Sequence, residues 1–150
     1  MPGKPYLVDS NVLIRWVQPE GPQFEVVRKA ILRIENTDDT PCYTSQNLGE
    51  FWNVLTRPAD RNGYGLSPEG ARIRAEQIEA KFLLLPDNPE IHIQWRRLLV
   101  AHSISGVQVH DARLAAAMHV HGVKRILTFN TRDFARFIDI EASHPADFSQ

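Results

Sequence analysis

The fold is decided by residues 6–13, which read Tyr6-Leu7-Val8-Asp9-Ser10-Asn11-Val12-Leu13. The apolar run of residues 6–8 favours a short buried β-strand. Asp9, Ser10 and Asn11 follow at once, and their side chains accept hydrogen bonds from the free N–H groups at the start of a helix. The stretch therefore predicts a strand that passes through a polar turn into a helix over residues 12–17.

Short apolar runs alternate with helical patterns along the rest of the chain. Further strands are predicted at residues 42–44, 82–85 and 125–129, with a weaker one at Phe137–Ala142 and an irregular tail after it. Between the strands, apolar residues spaced three and four apart predict helices. Ser45 and Ser67 are the predicted caps of the third and fourth helices, and Gly122 ends the last one.

This alternation predicts an α/β fold with a mainly parallel sheet covered by helices on both faces. In such sheets, ligands bind outside the carboxyl ends of the strands, at the point where the strand order reverses. The 150 residues, 43% of them hydrophobic, predict one domain over residues 1–150.

The charge balance excludes binding of nucleic acid by bulk positive charge. Lys and Arg number 17 against 18 Asp and Glu, which gives a net charge of −1. A nucleic-acid enzyme is still allowed, because bound divalent cations supply positive charge locally.

The expected compartment is the cytoplasm. The single Cys42 cannot form an intramolecular disulfide, and Met1–Pro5 has no leader-like pattern. No apolar run approaches the roughly 20 residues that a membrane-spanning helix needs.

Four carboxylates are expected at one edge of the sheet. Asp9 follows the first predicted strand, Glu50 comes shortly after the second, and Asp133 follows the fourth. Asp111 begins the helix that leads into the fourth strand. Clustered carboxylates repel one another, so such a site requires cations. An oxygen-rich set favours Mg²⁺ or Mn²⁺, and a pair of such ions suits phosphodiester hydrolysis.

Each acid also has an ordinary structural interpretation. Asp9, Asp111 and Asp133 are all placed where a carboxylate can stabilise the start of a helix or turn. Glu50 lies opposite the apolar stripe that contains Phe51 and Leu55, and this periodicity alone predicts a solvated face. Four arginines can bind RNA phosphates, but scattered surface arginines are the commoner explanation: Arg57, Arg61, Arg72 and Arg74.

Four segments together resemble the motifs of the PIN-domain family, in order and spacing. They are Leu7–Leu13, the segment Asn47-Leu48-Gly49-Glu50-Phe51, the segment His110–Ala116, and Ile126–Phe134. The resemblance covers essentially the whole chain. It implies catalytic and metal-binding roles for Asp9, Glu50, Asp111 and Asp133, with Ser10, Asn11, Thr128 and Asn130 in support.

The resemblance implies a three-layer αβα sandwich with five strands in the order 3-2-1-4-5. Bacterial members of this length are mostly VapC-type toxins, which cleave RNA with Mg²⁺ or Mn²⁺ and are inhibited by an antitoxin. We therefore expect an endoribonuclease that uses a Mg²⁺-activated water on single-stranded or looped RNA. A homodimer is also expected, from family habit and from aromatic residues that exceed the needs of one small core: Phe24, Phe51, Trp52 and Trp95.

One position departs from the family pattern. Many relatives have an aspartate two residues after the threonine of the last motif, where this chain has Asn130. Family variants with Asn here carry a following Asp-Phe, which makes Asp133 the expected fourth acid. The departure also favours an alternative, a catalytically degenerate protein that acts through a partner. A signalling-receiver domain fits less well, because Phe137–Gln150 has no lysine after the last strand.

Overall fold

Strands and helices alternate through residues 3–149, the part of the chain that the computed structural model describes. The strands are β1 (Pro5–Val8), β2 (Thr40–Thr44), β3 (Leu83–Leu85), β4 (Arg125–Leu127) and β5 (Glu141–Ser143). The α-helices are α1 (Ser10–Trp16), α2 (Phe24–Asn36), α3 (Ser45–Thr56), α4 (Pro68–Lys81), α5 (Pro89–Ala101) and α6 (Gln108–His121). Short 3-10 helices cover Ala59–Arg61, Thr131–Phe134 and Pro145–Phe148.

The five strands form one parallel sheet in the order β3-β2-β1-β4-β5, which confirms the expected topology. β1 lies at the centre, where Leu7 pairs with Cys42 of β2 on one side and with Ile126 of β4 on the other. The chain runs outward from β1 to β2 and β3, then crosses back to β4. The strand order therefore reverses between β1 and β4.

Side chains of β1 alternate between two hydrophobic cores, one on each face of the sheet. Tyr6 and Val8 pack in the core formed with α1 to α4. Leu7 packs in the second core, formed mainly with α5 and α6. All three are at most 4% exposed, so both faces of the sheet are covered and the three-layer αβα arrangement is confirmed.

Two of the predicted helix ends are observed. Ser67 caps α4 by accepting a hydrogen bond from the Gly70 N–H, with Pro68 at the first position of the helix. Gly122 ends α6 with a φ of 70°, a left-handed conformation that glycine adopts at little cost.

The predicted cap of α3 is wrong by one residue. Thr44, not Ser45, accepts the hydrogen bond from the Asn47 N–H, and the Asn47 side chain accepts one from the Thr44 N–H. Both residue types cap helices, but this reciprocal arrangement requires a partner three residues after the cap. Asn47 is that partner for Thr44.

The last strand lies later than predicted, at Glu141–Ser143. The apolar Phe137 and Ile140 suggested a strand, but both are buried through turns, with N–H groups bonded to the carbonyls of Phe134 and Phe137. The tail after β5 is also more regular than predicted, because a 3-10 helix covers Pro145–Phe148.

Much of the aromatic surplus is absorbed within the fold. Phe51 is fully buried, and Trp52 and Trp95 are partly buried against the two cores. Cys42 is also fully buried, and burial raises the pKa of its thiol to about 12.

Among the helices of residues 3–149, none combines the length and apolar character needed to cross a bilayer.

Candidate active site

A cleft of about 390 Å³ opens at the carboxyl end of the sheet, and all four predicted acids line it. Asp9 directly follows β1 and Asp133 lies in the 3-10 helix after β4. Glu50 comes from α3 and Asp111 from α6. The cleft therefore lies at the reversal of strand order between β1 and β4, which is where ligands bind in open parallel sheets.

Asp9 both caps a helix and lines the cleft. Its Oδ1 accepts a hydrogen bond of 2.8 Å from the Ser10 N–H at the start of α1, and its Oδ2 accepts one of 2.8 Å from the Thr128 hydroxyl. The side chain is buried, and burial raises its pKa to about 6 although these hydrogen bonds oppose the rise. The capping interpretation of Asp9 is thus correct, and it accompanies the predicted place in the site.

Thr128 connects the ends of β1 and β4. Its buried hydroxyl accepts hydrogen bonds from the Asn11 side-chain amide at 3.2 Å and from the Asn130 N–H at 3.0 Å, and it donates to Asp9. A hydroxyl has one proton and two lone pairs, so all three are used. The Asn11 carbonyl oxygen in turn accepts from the Phe129 N–H at 3.2 Å. This network fixes the orientation of the Asp9 carboxylate.

Glu50 lies close to Asp9 through a shared serine. The Ser10 hydroxyl is 3.2 Å from Glu50 Oε1 and 3.4 Å from Asp9 Oδ1. Glu50 is half-buried, so the solvated face predicted from periodicity alone is wrong. Glu50 lies on the flank of α3, beside the core residue Phe51, and this flank lines the cleft with Val54.

Asp111 is the fourth residue of α6, and no side chain caps the start of that helix. The carboxyl group is half-buried, and burial raises its pKa to about 7, with the negative charges of Asp133, Asp9 and Glu50 adding to the rise. Arg136 opposes the rise only weakly. The cap interpretation has no support here, and the repulsion shows that the four acids share one electrostatic environment.

Asn130 and Asp133 lie at the exposed rim of the cleft. Asn130 precedes the 3-10 helix Thr131–Phe134, and no side chain caps that helix. The local turn is held instead by the backbone, with the Asp133 N–H bonded to the Asn130 carbonyl at 3.1 Å. The side chains of both residues are therefore free of a capping role.

A side-chain bridge that the sequence did not suggest connects α3 to α6. The Gln46 amide donates to the His110 carbonyl at 2.8 Å, and its oxygen accepts from Arg113 at 3.2 Å. These contacts set the position of Glu50 on α3 relative to Asp111 on α6. No pattern in the sequence marks the pair, because Gln46 and Arg113 are 67 residues apart.

Four polar residues outside the predicted site also line the cleft: Arg15, Arg57, Asn62 and Tyr64. Of these, the sequence suggested Arg57 alone, as one of several arginines able to bind RNA phosphates. A helical signal was present for two of them. Arg15 lies four residues after Asn11, and Arg57 seven after Glu50, so each shares a helix face with a residue of the motifs.

The donor set fits a hard divalent cation by its chemistry. Four carboxylates share a cleft with only two arginines, and burial and repulsion raise the pKa of two of the acids. Such a set is stabilised by Mg²⁺ or Mn²⁺, which prefer oxygen ligands. Within residues 3–149, no three acidic, histidine or cysteine side chains are arranged to enclose one ion, so binding requires side-chain rotation towards it.

The fold and the cleft define a class: parallel three-layer α/β domains with an acidic cleft where the strand order reverses. A family model for the PIN domain matches residues 6–139 of this chain. The protein therefore belongs to the PIN-domain family, as its motifs predict. No curated protein gives a significant sequence match.

Solved structures of toxin–antitoxin systems share the fold at low sequence identity. VapBC2 of Rickettsia felis, bound to a promoter DNA fragment, matches with a TM-score of 0.68 and 12% identity over 93% of this chain and 98% of that chain. VapBC-1 of nontypeable Haemophilus influenzae matches with a TM-score of 0.66 and 14% identity over 97% and 99%. VapC20 of Mycobacterium tuberculosis, a toxin that cleaves the sarcin–ricin loop, matches with a TM-score of 0.64 and 16% identity over 88% and 95%.

Proposed function

We propose that this protein is a divalent-metal-dependent endoribonuclease and the toxin of a toxin–antitoxin pair. One observation carries the proposal: four acids from four separate elements of a PIN-domain fold line a single cleft at the reversal of strand order. The proposed reaction is hydrolysis of a phosphodiester bond in single-stranded or looped RNA. Water as the nucleophile makes no use of the ribose 2′-hydroxyl, so single-stranded DNA is a second possible substrate.

In this proposal Asp9, Glu50, Asp111 and Asp133 hold Mg²⁺ or Mn²⁺. When bound, the ion supplies an activated water and neutralises charge on the phosphate. Thr128 and Ser10 orient Asp9 and Glu50 through the hydrogen bonds described above. Asp111, with a pKa near 7, retains a proton in part of the metal-free molecules at neutral pH and loses it when a cation is taken up.

The proposed partners are RNA, an antitoxin protein and a second copy of the chain. The similar structures of VapBC complexes support an antitoxin partner. The homodimer is proposed from the family resemblance more than from aromatic surplus, since Phe51 is core. Light scattering at micromolar concentration is expected to give about twice the chain mass of 17.1 kDa, and a constant monomer would contradict it. We place the protein in the cytoplasm, acting as one domain over residues 1–150.

A cleavage assay tests the function. The purified protein is expected to cut unstructured RNA in Mg²⁺ or Mn²⁺ and to stop in EDTA. Asp9→Asn, prepared identically, controls for contaminating host ribonucleases, and sequencing of the product ends identifies the cut. Full activity in EDTA, or equal activity in Asp9→Asn, would contradict the proposal.

A catalytically degenerate protein that acts through a partner is the second candidate. The neutral Asn130 at the cleft rim favours it, since an amide attracts a cation less than a carboxylate does. Calorimetric titration with Mn²⁺ separates the two candidates. Metal uptake that is lost in Asp9→Asn supports the nuclease, and no uptake supports the degenerate protein.

A further inference from the structure

The acid cleft does not end at the carboxylates. Arg15 and Tyr64 line this cleft and also line a second pocket of about 100 Å³. Gln18, Gln23 and Phe24 contribute to that pocket. The site therefore consists of an acidic part and a smaller adjoining part, with a guanidinium and an aromatic ring between them.

The loop 57–66, which carries Arg57 and Tyr64, folds back against the end of α3. The N–H groups of Tyr64 and Leu66 bond to the carbonyls of Val54 and Leu55 at 3.1 and 2.9 Å, and Gly65 N–H bonds to the Arg57 carbonyl at 2.8 Å. A Cβ at Gly63 would lie 2.0 Å from the Arg57 carbonyl oxygen, so only glycine allows this close return. The loop thus holds both side chains at the cleft in a defined position.

Arg57 carries a donor that the fold does not satisfy. One terminal nitrogen donates to the Asn62 carbonyl at 3.0 Å, while the buried Nε has no hydrogen-bond partner among the described residues. Buried polar groups are nearly always paired, so an unpaired one requires an explanation. A ligand with acceptor oxygens, bound where Arg57 lines the cleft, would accept this hydrogen bond after a small adjustment of the side chain.

Arg15, on α1, also lines the cleft and is held by its own contacts. It donates to the Asn11 carbonyl at 2.7 Å and to the Gln23 side chain, and its guanidinium lies 4.9 Å from the centre of the Phe129 ring. A guanidinium has five N–H donors, and these two bonds leave others for a ligand. Two guanidinium groups therefore line the same cleft as the four carboxylates.

The spacing suits a neighbouring nucleotide. Arg57 is seven residues after Glu50, which is roughly 10 Å along a helix axis. This offset places Arg57 away from Glu50 along the axis of α3, as expected for groups that contact successive positions of one strand. Tyr64, 42% exposed, presents a ring on which a base can stack.

We propose that Arg15, Arg57 and Tyr64 form a subsite for the nucleotide next to the scissile phosphate of single-stranded RNA. The two guanidinium groups bind its phosphate, Tyr64 stacks on its base, and the base enters the smaller pocket beside Gln18 and Gln23. This subsite rests on the proposed nuclease function for its place in the reaction, but its RNA binding requires no metal.

Binding of a fluorescently labelled, unstructured oligoribonucleotide tests the subsite, measured by anisotropy in EDTA at several low salt concentrations. Arg57→Gln is expected to weaken binding and to reduce the slope of log affinity against log salt by about 0.7, the loss of one phosphate contact. Arg57→Lys is expected to restore the slope. Tyr64→Leu is expected to lower affinity roughly tenfold with an unchanged slope, whereas Tyr64→Phe keeps the wild-type affinity.

Arg61→Gln is the matched control, because Arg61 belongs to the same loop, is exposed and does not line the cleft. Thermal melting confirms that each variant is folded. Equal losses in Arg57→Gln and Arg61→Gln, or no RNA binding by the wild-type protein, would overturn the subsite. Cleavage in Mg²⁺ would then still support the nuclease, while RNA binding that depends on Arg57 without any cleavage would retain the subsite and overturn the nuclease.

Discussion

Two aspartates at opposite ends of the sheet have opposite electrostatic environments. Asp39 lies at the amino end, where its Oδ2 accepts a hydrogen bond of 2.9 Å from Arg125 at the start of β4, and this contact lowers its pKa. Asp111 lies at the carboxyl end, where burial and three neighbouring carboxylates raise its pKa to about 7. The first carboxylate is neutralised by the fold itself. The second is surrounded by other carboxylates, and their charges raise its pKa.

Removing the carboxylate of Asp111 should have the largest effect, a loss of RNA cleavage. Asp111→Asn is expected to reduce RNA cleavage in Mg²⁺ by at least about 100-fold, since it removes a proposed metal ligand. The metal-free variant should be as stable as the wild type or more so, because carboxylate repulsion falls. Cleavage rates and denaturant unfolding in EDTA measure the two effects. Asp139→Asn removes the same charge at an exposed position outside the cleft, and equal cleavage by both variants would remove Asp111 from the site.

The pH dependence of stability should differ between the two ends. Between the ordinary aspartate pKa near 3.8 and values of about 6 and 7, folded Asp9 and Asp111 bind more protons than they do in the unfolded chain. Their contribution to the free energy of unfolding therefore falls as pH rises from 4 to 7. Denaturant unfolding in EDTA across this range should show the decline, with a flatter slope in Asp111→Asn. An unchanged slope in that variant would contradict the assigned environment.

Removing the charge of Asp39 at the amino end of the sheet should lower stability and leave RNA cleavage intact. Asp39→Asn weakens a charged hydrogen bond to the partly buried Arg125 and is expected to lower the free energy of unfolding by roughly 1–2 kcal/mol. The depressed pKa of Asp39 contributes stability above pH 4 that is lost as pH falls, the opposite sign to Asp111. Asp38→Asn is the control, since Asp38 is exposed with a φ of 64° that Asn also tolerates. A loss of cleavage in folded Asp39→Asn would contradict the separation of the two ends.

Adding a carboxylate at position 130, at the carboxyl end of the sheet, should have the smallest effect, a modest gain in metal affinity. Asn130→Asp places a carboxylate at the exposed rim, where solvent screens it, and is expected to tighten Mn²⁺ binding by up to about tenfold. Asp133→Asn should weaken binding, and the double variant should partly recover it. Calorimetric titration measures the affinities, with Asn36→Asp as a control for charge far from the cleft. An unchanged affinity in Asn130→Asp would place Asn130 outside the site.

The fold was predictable because its signals are local. Apolar runs such as residues 6–8 predict the buried strands, and Ser67-Pro68 marks a helix start wherever it is placed. Errors arose where two local patterns compete. Threonine and serine are both common helix caps, and only the distance to Asn47 selects Thr44 over Ser45. Phe137 and Ile140 are buried through turns as fully as they would be in a strand.

The four acids were predictable from motif order, but their environments were not. Glu50 follows the periodicity of a solvated face, and only the packing of α3 against α1 and the sheet makes that face part of a cleft. Arg57 shares a helix face with Glu50, but Tyr64 has no distinguishing pattern among the other polar residues of the loop. Their place in the cleft depends on backbone hydrogen bonds to Val54 and Leu55 that a one-dimensional pattern does not contain.

The buried Cys42 makes the centre of the sheet observable without an engineered label. A thiol must reach solvent and ionise to react with an alkylating reagent, and this one does neither in the folded state. Its reaction rate therefore measures how often β2 separates from its neighbours. Since β2 pairs with β1, whose end carries Asp9, alkylation of the chain's one thiol is expected to slow if a cation that binds at Asp9 stabilises the sheet.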